Sequence, residues 1–378
     1  MKPRLVLALF LFLLGAGGFG VWYCLHRAPP APEAFAPVAF ADLPGWRQSD
    51  PAAALAAFRR SCMKILALPP RSAMGYAGTA ADWRASCLKA AAARDPRRFF
   101  EGSFVPYPIG DAEGLVTGYY EPLLNGSATR HGVYQTPVYG PPADLVTVDL
   151  GLFRPEWKGE HIAGRVTGNR FVPYGTRAQI DAQPPATARV LFWCDDPVAL
   201  FFLHIQGSGR VALDDGTVLR VTYAAQNGHP YTAIGRTLIR RGALARDHVS
   251  LQTIRAWLKS HPGEARGVME SDASFVFFEE SPIGDPTLGP AGSEGVLLTP
   301  GGSVAVDAKV HPLGMPLFVA GGGVAGLFVA QDTGGAIRSA RRADIFFGFG
   351  AEAEAAAGTL KAHARFYVLL PRSVVPGP

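Results

Sequence analysis

The chain has 378 residues, of which 48% are hydrophobic and 18% are charged, so it is a globular protein and not a disordered one. This length predicts a large buried core and two domains. The formal net charge of +5 includes no block of Lys and Arg, which excludes the concentrated basic face that a nucleic-acid partner requires.

The N-terminus predicts export and attachment to a membrane. A short basic region precedes an apolar run over residues 5–25, which is long enough to span a bilayer with its basic end in the cytoplasm. Cys24 raises the alternative of a lipid-modified cysteine after signal cleavage. Because Trp22 and Tyr23 stand where that processing needs small residues, an uncleaved anchor over residues 1–27 is favoured. The rest of the chain would then face the periplasm from the inner membrane, with an outer-membrane lipoprotein as the alternative.

A tether and two helices are predicted next. Residues 28–44 are rich in Pro and Ala, which is typical of a stiff, extended linker. Asp50 and Pro51 supply an N-cap and a first-turn proline to a helix whose apolar residues recur at helical spacing. A second helix is predicted over residues 80–94 and ends before Pro96.

Export makes a disulfide possible in this chain, because disulfides persist in oxidising compartments. Cys62 and Cys87 each lie on the apolar stripe of one of the two predicted helices. Antiparallel packing of those helices predicts a disulfide between them, with two buried free thiols as the alternative. Cys194 follows two aromatic residues and is predicted to be a buried, inert thiol.

Beyond Gly114 the chain consists mainly of short runs rich in β-branched and aromatic residues, separated by turns of Gly, Asp and Pro. A helical interval is predicted over residues 234–260, and strands return from residue 275 with a helix near residues 352–360. The fold class is therefore mainly β with some helices. The strands predicted before the helical interval cover residues 115–120, 133–139, 188–193, 200–205 and 218–223.

Two carboxylates late in the chain are candidate catalytic residues. Asp332 ends an apolar β-type run just before a Gly-Gly turn, and Asp344 is followed by Ile345-Phe-Phe347. Apolar surroundings disfavour the charged form of an acid and raise its pKa, which general acid catalysis near neutral pH requires. The alternative is that Asp332 caps its turn and that Asp344 starts a helix or pairs with a neighbouring arginine.

Further motifs follow one another in a fixed order, and together they resemble one family. With the two aspartate segments, they are similar to the membrane-bound lytic murein transglycosylase A family and its C-terminal three-aspartate domain, from about Thr117 to Pro371. The agreement of several motifs makes the resemblance specific, whereas one motif alone is weak. The motifs are Thr117-Gly-Tyr-Tyr-Glu-Pro122, His204-Ile-Gln-Gly-Ser-Gly-Arg210, Tyr223-Ala-Ala-Gln-Asn-Gly-His-Pro-Tyr231, Ser274-Phe-Val-Phe-Phe-Glu-Glu280 and Val304-Ala-Val-Asp307-Ala-Lys-Val-His-Pro-Leu-Gly314.

The resemblance implies a fold and a reaction. The fold is a double-psi β-barrel formed by residues 45–120 and 275–371, with a smaller β-barrel of residues 121–274 inserted and a substrate groove between the two. The reaction cleaves the β-1,4 bond between N-acetylmuramic acid and N-acetylglucosamine in peptidoglycan glycan strands, without water, and leaves 1,6-anhydromuramic acid ends. Because the C6 hydroxyl of the substrate attacks its own anomeric carbon, one carboxyl group can act as both acid and base. The resemblance places that group at Asp344.

The remaining candidate residues surround this acid. Asp332 would support Asp344 by raising its pKa or by stabilising positive charge on the sugar. Asp307, the third aspartate, is assigned to the groove, with a structural turn as the alternative. Other residues are predicted to bind sugar through hydrogen bonds, close backbone approach or aromatic stacking, with tight turns and core packing as the alternatives. They are Thr117, Gly118, Tyr119, Tyr120, Gln206, Gly207, Ser208 and Gly209.

Other chemistries find no support in the sequence. The histidines have no paired metal spacing and the cysteines do not form a zinc pattern, so neither a metal nor a cofactor is implied. Two other functions stay open: a hydrolase that uses Asp344 and Asp332 as a carboxylate pair, and a non-catalytic protein that binds cell-wall glycan. Peptidoglycan is the partner in every case, and the sequence identifies no protein partner.

Overall fold

The computed structural model describes residues 36–374. The predicted anchor with Cys24, and the first part of the predicted tether, lie outside the described residues. Within residues 36–374, no helix has both the length and the apolar character needed to cross a membrane.

The helices of the described range lie at both ends of the chain and in its middle. They are α1 Ala52–Ala67, α2 Ala80–Ala92, α3 Pro96–Ser103, α4 Arg177–Ala182, α5 Pro197–Gln206, α6 Ile234–Arg240, α7 Leu251–Ser260, α8 Pro262–Met269 and α9 Gly350–Thr359. Short 3-10 turns occupy Phe40–Asp42, Gly75–Ala77, Leu150–Leu152, Pro155–Trp157 and Arg246–His248.

The strands alternate with these helices and confirm a mainly β protein. They are β1 Phe104–Pro108, β2 Gly114–Glu121, β3 Leu123–Ser127, β4 Thr136–Tyr139, β5 Val146–Asp149, β6 His161–Thr167, β7 Arg170–Pro173, β8 Val190–Cys194, β9 Ser208–Leu213, β10 Val218–Gln226, β11 Val276–Ser281, β12 Ser303–Ala305, β13 Pro316–Gly321, β14 Val324–Asp332, β15 Arg342–Phe349 and β16 Lys361–Pro371.

The first two helices pack together as predicted. Pro51 is the N-cap of α1, one residue later than expected, while the Asp50 carboxylate accepts a hydrogen bond from the Ala52 N–H at 2.9 Å. A disulfide joins Cys62 of α1 to Cys87 of α2, with 5.2 Å between their Cα atoms, so the predicted pairing is confirmed. The pair buries its apolar stripes against the main sheet.

The main sheet closes on itself. Its strand order is β1-β16-β13-β14-β12-β15-β2, and β16 also pairs with β2, so β16, β13, β14, β12, β15 and β2 form a closed ring. Two of these pairings, β12 with β14 and β15 with β2, are parallel. Closure leaves no free edge between these strands, and apolar side chains of the ring such as Phe318, Val329 and Leu369 are buried.

The strands of a second sheet come between β2 and β12 of the main sheet in the sequence. Its strand order is β11-β10-β9-β3-β8-β4, and β5, β6 and β7 form a separate three-stranded sheet. The predicted boundary at residue 275 is wrong by one strand, because Val276–Ser281 pairs antiparallel with β10 in this second sheet. Cys194 ends β8 as a buried free thiol, as predicted, and burial raises its pKa to about 12, so the thiol stays protonated and unreactive.

The strand predicted over residues 200–205 is wrong, because this segment belongs to α5. Asp196 caps the helix by accepting from the Val198 and Ala199 N–H groups at 2.8 and 3.2 Å, and Pro197 fits its first turn. Gly207 ends the helix at a φ of +78°, which favours glycine. A short apolar run does not distinguish a strand from a helix that is buried on all sides, as this helix is.

A buried ion cluster joins the two sheets. Glu121, fully buried, is the last residue of β2, and Pro122 alone separates it from β3. Its carboxylate accepts from Arg210 Nε at 3.0 Å and from Arg220 Nε at 2.5 Å. Both guanidinium groups also donate to the carbonyl of Leu288. These bonds tie the end of β2, the strand that leads to the candidate site, to β9 and β10 of the second sheet.

Candidate active site

Asp344 lies on the outer face of the closed ring. It stands in β15 between Ala343 and Ile345, both buried in the core, so its side chain points to the opposite face. Thr117 is its Cα partner in the parallel strand β2, and the Thr117 hydroxyl donates to Asp344 Oδ1 at 2.6 Å. Arg342 donates to the same hydroxyl oxygen at 2.8 Å. The alternative in which Asp344 starts a helix is thereby excluded.

The strand β12 brings the second aspartate to the same place. Ala305 is the Cα partner of Asp332 in β14 on one side and of Asp344 in β15 on the other. Two strand spacings therefore separate the two aspartates, roughly 10 Å between their Cα atoms. The two aspartates, twelve positions apart in sequence, thus lie on opposite sides of one short strand.

Asp332 is held by three hydrogen bonds. Its Oδ1 accepts from the Ser293 N–H and from the Ser293 hydroxyl, each at 3.0 Å, and its Oδ2 accepts from the Tyr119 hydroxyl at 2.9 Å. The Tyr119 ring also packs against Phe346, with 5.2 Å between ring centroids. All three donors favour the ionised form of this carboxylate.

The pKa values of the two carboxyl groups are both raised by burial, but different neighbours oppose the rise. Burial raises the pKa of Asp344 to about 6, and the charge of Asp332 raises it further, while the Thr117 hydrogen bond and the Arg342 charge oppose the rise. Burial also raises the pKa of Asp332, against the hydrogen bonds that lower it. Burial holds the pKa of Tyr119 well above its usual value, so its hydroxyl remains a donor. Asp344 is therefore an acid that exchanges its proton near neutral pH.

Asp307 lies in a turn next to this pair. Its Oδ1 accepts from the Lys309 N–H at 3.1 Å and its Oδ2 from the Ser339 N–H at 2.9 Å. Ser339 has a φ of +110° in the loop that connects β14 to β15. The third aspartate is 8% exposed, and its two hydrogen bonds support the structural alternative, while its groove role stays a prediction.

Two of the predicted β2 residues face a helix and not the aspartates. A Cβ on Gly118 would stand 2.6 Å from the Phe347 ring and 2.8 Å from the Ala357 Cα, so close packing on α9 requires glycine there. The Tyr120 ring is 1% exposed, and its hydroxyl accepts from Arg255 at 3.1 Å. A buried ring has no face for a sugar, so the stacking role predicted for Tyr120 is corrected to core packing.

The segment Gln206 to Gly209 forms the turn from α5 into β9. Gln206 Oε1 accepts from the Tyr120 N–H at 3.2 Å, which fastens this turn to β2. A Cβ on Gly209 would meet the Leu203 side chain at 2.5 Å, so packing accounts for this glycine. Ser208 begins β9 and is partly exposed. The structure thus brings the turn to β2 but not into contact with the carboxyl groups.

Sequence reasoning missed Ser293 and the Glu121 cluster. Ser293 stands in a loop far from both aspartates in sequence, and no local pattern marks it. Arg220 had a visible signal, because it interrupts the apolar run Val218-Leu-Arg-Val221 in a strand whose neighbours are buried. An arginine in that position needs a buried partner.

Two family models match the chain. The MltA specific insert domain matches residues 115–279, and the 3D domain matches residues 302–370. The first range includes the β2 residues and the Gln206 turn, and the second includes all three aspartates.

Named relatives agree with these matches. Membrane-bound lytic murein transglycosylase A from Escherichia coli K12 is 32% identical over 266 residues, which cover 67% of this chain and 64% of that protein. The Vibrio cholerae protein of the same name is 31% identical over 276 residues, covering 69% of this chain and 67% of its own length. The alignment to the E. coli relative thus spans just under two thirds of its length.

Solved structures show the same fold over nearly the whole chain. A membrane-bound lytic murein transglycosylase from Agrobacterium tumefaciens has 35% identity and a TM-score of 0.79, covering 90% of this chain and 98% of its own. MltA from Neisseria gonorrhoeae has 34% identity and a TM-score of 0.75, with 91% and 94% covered. E. coli MltA with bound chitohexaose has 26% identity and a TM-score of 0.64, with 91% and 93% covered. The chain therefore belongs to the membrane-bound lytic murein transglycosylase A family.

Proposed function

We propose that this protein is a lytic transglycosylase, which cleaves the β-1,4 bond between N-acetylmuramic acid and N-acetylglucosamine in peptidoglycan and leaves 1,6-anhydromuramic acid ends. The observation that supports it best is Asp344, an acid with a pKa of about 6 on the outer face of the ring, beside a hydrogen-bonded second carboxylate. The names of the relatives support the same reaction.

Asp344 acts first as the acid. Protonated, it gives its proton to the oxygen of the glycosidic bond, and the bond from the anomeric carbon to that oxygen breaks. The Thr117 hydroxyl and the Arg342 charge then stabilise the carboxylate that remains, because both favour its charged form. Asp332, kept as an acceptor by Ser293 and Tyr119, offers negative charge to the positive sugar ring.

Asp344 acts next as the base. The C6 hydroxyl of the muramic acid attacks the anomeric carbon, and its proton passes to the Asp344 carboxylate. The new bond closes the anhydro ring, the acid is restored, and no water is consumed. Because the nucleophile belongs to the substrate, its effective concentration is high and no second catalytic carboxylate is needed.

We also infer the two-unit architecture implied by the family. The closed ring of six strands supports a double-psi β-barrel, and the second sheet supports an inserted unit that ends after Ser281 and not at residue 274. Chitohexaose bound to the E. coli relative supports a groove for a long sugar chain. Thr117 and Tyr119 stand on its barrel side, and Gln206 and Ser208 approach from the insert.

Attachment to a membrane belongs to the same proposal. The relatives are named membrane-bound proteins, and the apolar run over residues 5–25 would attach this chain to the inner membrane with its enzyme facing the periplasm. Peptidoglycan lies in that compartment.

The products distinguish this function from its rivals. Digests of purified glycan strands, measured by mass spectrometry, should contain anhydro ends and no added water. Reducing ends heavier by one water would indicate a hydrolase that uses Asp344 and Asp332 together. Intact strands that nevertheless bind the protein would indicate a non-catalytic wall-binding protein. Asp344→Asn is the control for a contaminating enzyme.

A further inference from the structure

A cavity of about 590 Å³ opens between α5, α6 and α7, and neither of the two aspartates lines it. Its volume lies within the range of small-ligand sites, about 300–1,000 Å³. Its floor is apolar and includes Phe202, Ile205, Ile239 and Ile254. Such a floor accepts methyl groups and aliphatic chains but gives no reason for the charges above it.

Four cations stand around this cavity: Arg236, Arg240, Arg246 and Lys361. All four are exposed, and no Asp or Glu is among the lining residues. Within the part of the chain that the structure describes, none of the four forms a salt bridge, although other exposed arginines nearby do, such as Arg241 with Glu264. Like charges placed together without partners create a positive potential that attracts an anion.

The cavity adjoins β2, the strand that pairs with the strand of the candidate acid. Lys361 in β16 is the antiparallel Cα partner of Thr117 in β2, and residues directly opposite each other share one face of a sheet. Thr117 is in turn the partner of Asp344. Lys361 and Asp344 therefore flank Thr117 on the same outer face. Gln206 also lines the cavity and is bonded to the Tyr120 N–H of β2.

We propose that this cavity binds the anionic stem peptide carried by a muramic acid next to the bond that is cut. The inference rests on the proposed function. Stem peptides combine alanine methyl groups, which suit the apolar floor, with several carboxylates, which suit guanidinium and ammonium groups at the rim. In a strand that has its peptides, the lactyl carboxyl of each muramic acid is bonded to the peptide as an amide, so the sugar backbone is uncharged and the four cations have no counterpart on it. The cavity thus favours glycan strands that still have their peptides.

The test compares strands with peptides and strands from which an amidase has removed them. In the Arg240→Gln/Arg246→Gln variant, kcat/KM on peptide-bearing strands should fall about tenfold, because two exposed ion pairs with the peptide are lost. The fall on peptide-free strands should be smaller, because each muramic acid then keeps only its own lactyl carboxylate in place of the several carboxylates of a peptide. Arg71→Gln, at an exposed arginine between α1 and α2, is the control for loss of one positive charge elsewhere and matches Arg246→Gln alone. Arg240→Lys/Arg246→Lys should recover most of the loss.

A second measurement separates this inference from the proposed function. Binding of peptide-bearing strands to full-length Asp344→Asn protein needs no turnover, and the same rim substitutions should weaken it about tenfold at low salt and less at high salt. If binding depends on the four cations but the wild type does not cleave the strands, the proposed function is wrong and this inference still holds. Equal losses on both kinds of strand would show that glycan occupies the cavity, and unchanged binding would show that nothing anionic does. Either result overturns the inference. If the double variant unfolds, Arg246→Gln alone replaces it.

Discussion

The pKa of Asp344 is set by burial, which raises it, and by a few polar partners, which lower it. Burial wins and raises the pKa to about 6, although Thr117 and Arg342 favour the charged form. A carboxyl group whose pKa is raised by folding destabilises the folded state as pH rises through the interval between its unfolded and folded pKa values. Between about pH 4 and 6 the native state holds a proton that the unfolded chain has lost. The raised pKa that acid catalysis needs therefore lowers the stability of the folded protein near neutral pH.

Asp344→Asn should abolish turnover, because it removes the transferable proton and keeps the volume of the side chain. It should also raise the free energy of unfolding at pH 7 by roughly 1–3 kcal/mol, since a neutral amide avoids the cost of a buried charge. At pH 3.5 the gain should vanish. Product assays and urea unfolding at the two pH values measure both effects. Near-normal activity in this variant would remove the assignment of Asp344 as acid and base.

Thr117→Val and Asp332→Asn should shift the pH dependence in opposite directions. The Thr117 hydrogen bond lowers the pKa of Asp344, so its loss should move the basic limb of kcat/KM to higher pH. The Asp332 charge raises that pKa, so its loss should move the limb to lower pH, with a smaller fall in rate than in Asp344→Asn. Profiles between pH 4 and 8 measure the limb. An unchanged limb in Asp332→Asn would leave Asp332 as a structural residue.

At the scale of elements, α1 supports the strand that ends at Asp332. The fully buried Gln331 side chain donates to the Ala57 carbonyl at 2.9 Å and to the Ser61 hydroxyl at 2.8 Å, both in α1. The disulfide from Cys62 holds α2 against this helix. The two N-terminal helices thus support β14 through α1. The strand β12, which pairs with both β14 and β15, fixes the spacing of the two aspartates.

Reduction of the disulfide should lower the free energy of unfolding by about 2–4 kcal/mol, because the unfolded chain regains the freedom of a closed loop. Urea unfolding of the protein, with and without reductant, measures the loss. The Cys62→Ser/Cys87→Ser variant is the control, since reductant should not change its stability. Mass spectrometry of unreduced peptides that found both thiols free would contradict the bridge.

At the scale of the whole molecule, the Glu121 cluster is the joint between the two sheets. Glu121→Gln should destabilise the protein by about 3–5 kcal/mol, because it leaves Arg210 and Arg220 buried without a counter-charge. Glu113→Gln, an exposed carboxylate just before β2, is the matched control and should change little. Thermal and urea unfolding measure both variants. A stability equal to that of the control would show that the arginines find other partners.

The mode of membrane attachment also belongs to this scale. If residues 5–25 form an uncleaved anchor, the mature protein should begin at or next to Met1, and Cys24→Ala should not change its location. Intact-mass measurement of detergent-extracted protein tests this directly. A chain that starts at Cys24, carries acyl mass and leaves the membrane in Cys24→Ala would identify a lipoprotein instead.

The sequence by itself determined those features that depend on near neighbours along the chain. The mainly β class, the two N-terminal helices and the Cys62–Cys87 pairing follow from periodicity and turn residues. The apolar residues after Asp344 indicated a raised pKa, and burial in the folded protein does raise it. The order of several motifs sufficed for the family.

Only the tertiary structure decided which residues meet across the chain. It turned the apolar run of residues 200–205 into a helix buried on all sides, and it buried Tyr120 beneath α9. It brought Ser293 to Asp332 and the cations of the cavity to one rim. These outcomes depend on which surfaces pack together and which charges lose their water, and such long-range contacts leave no local pattern in the sequence.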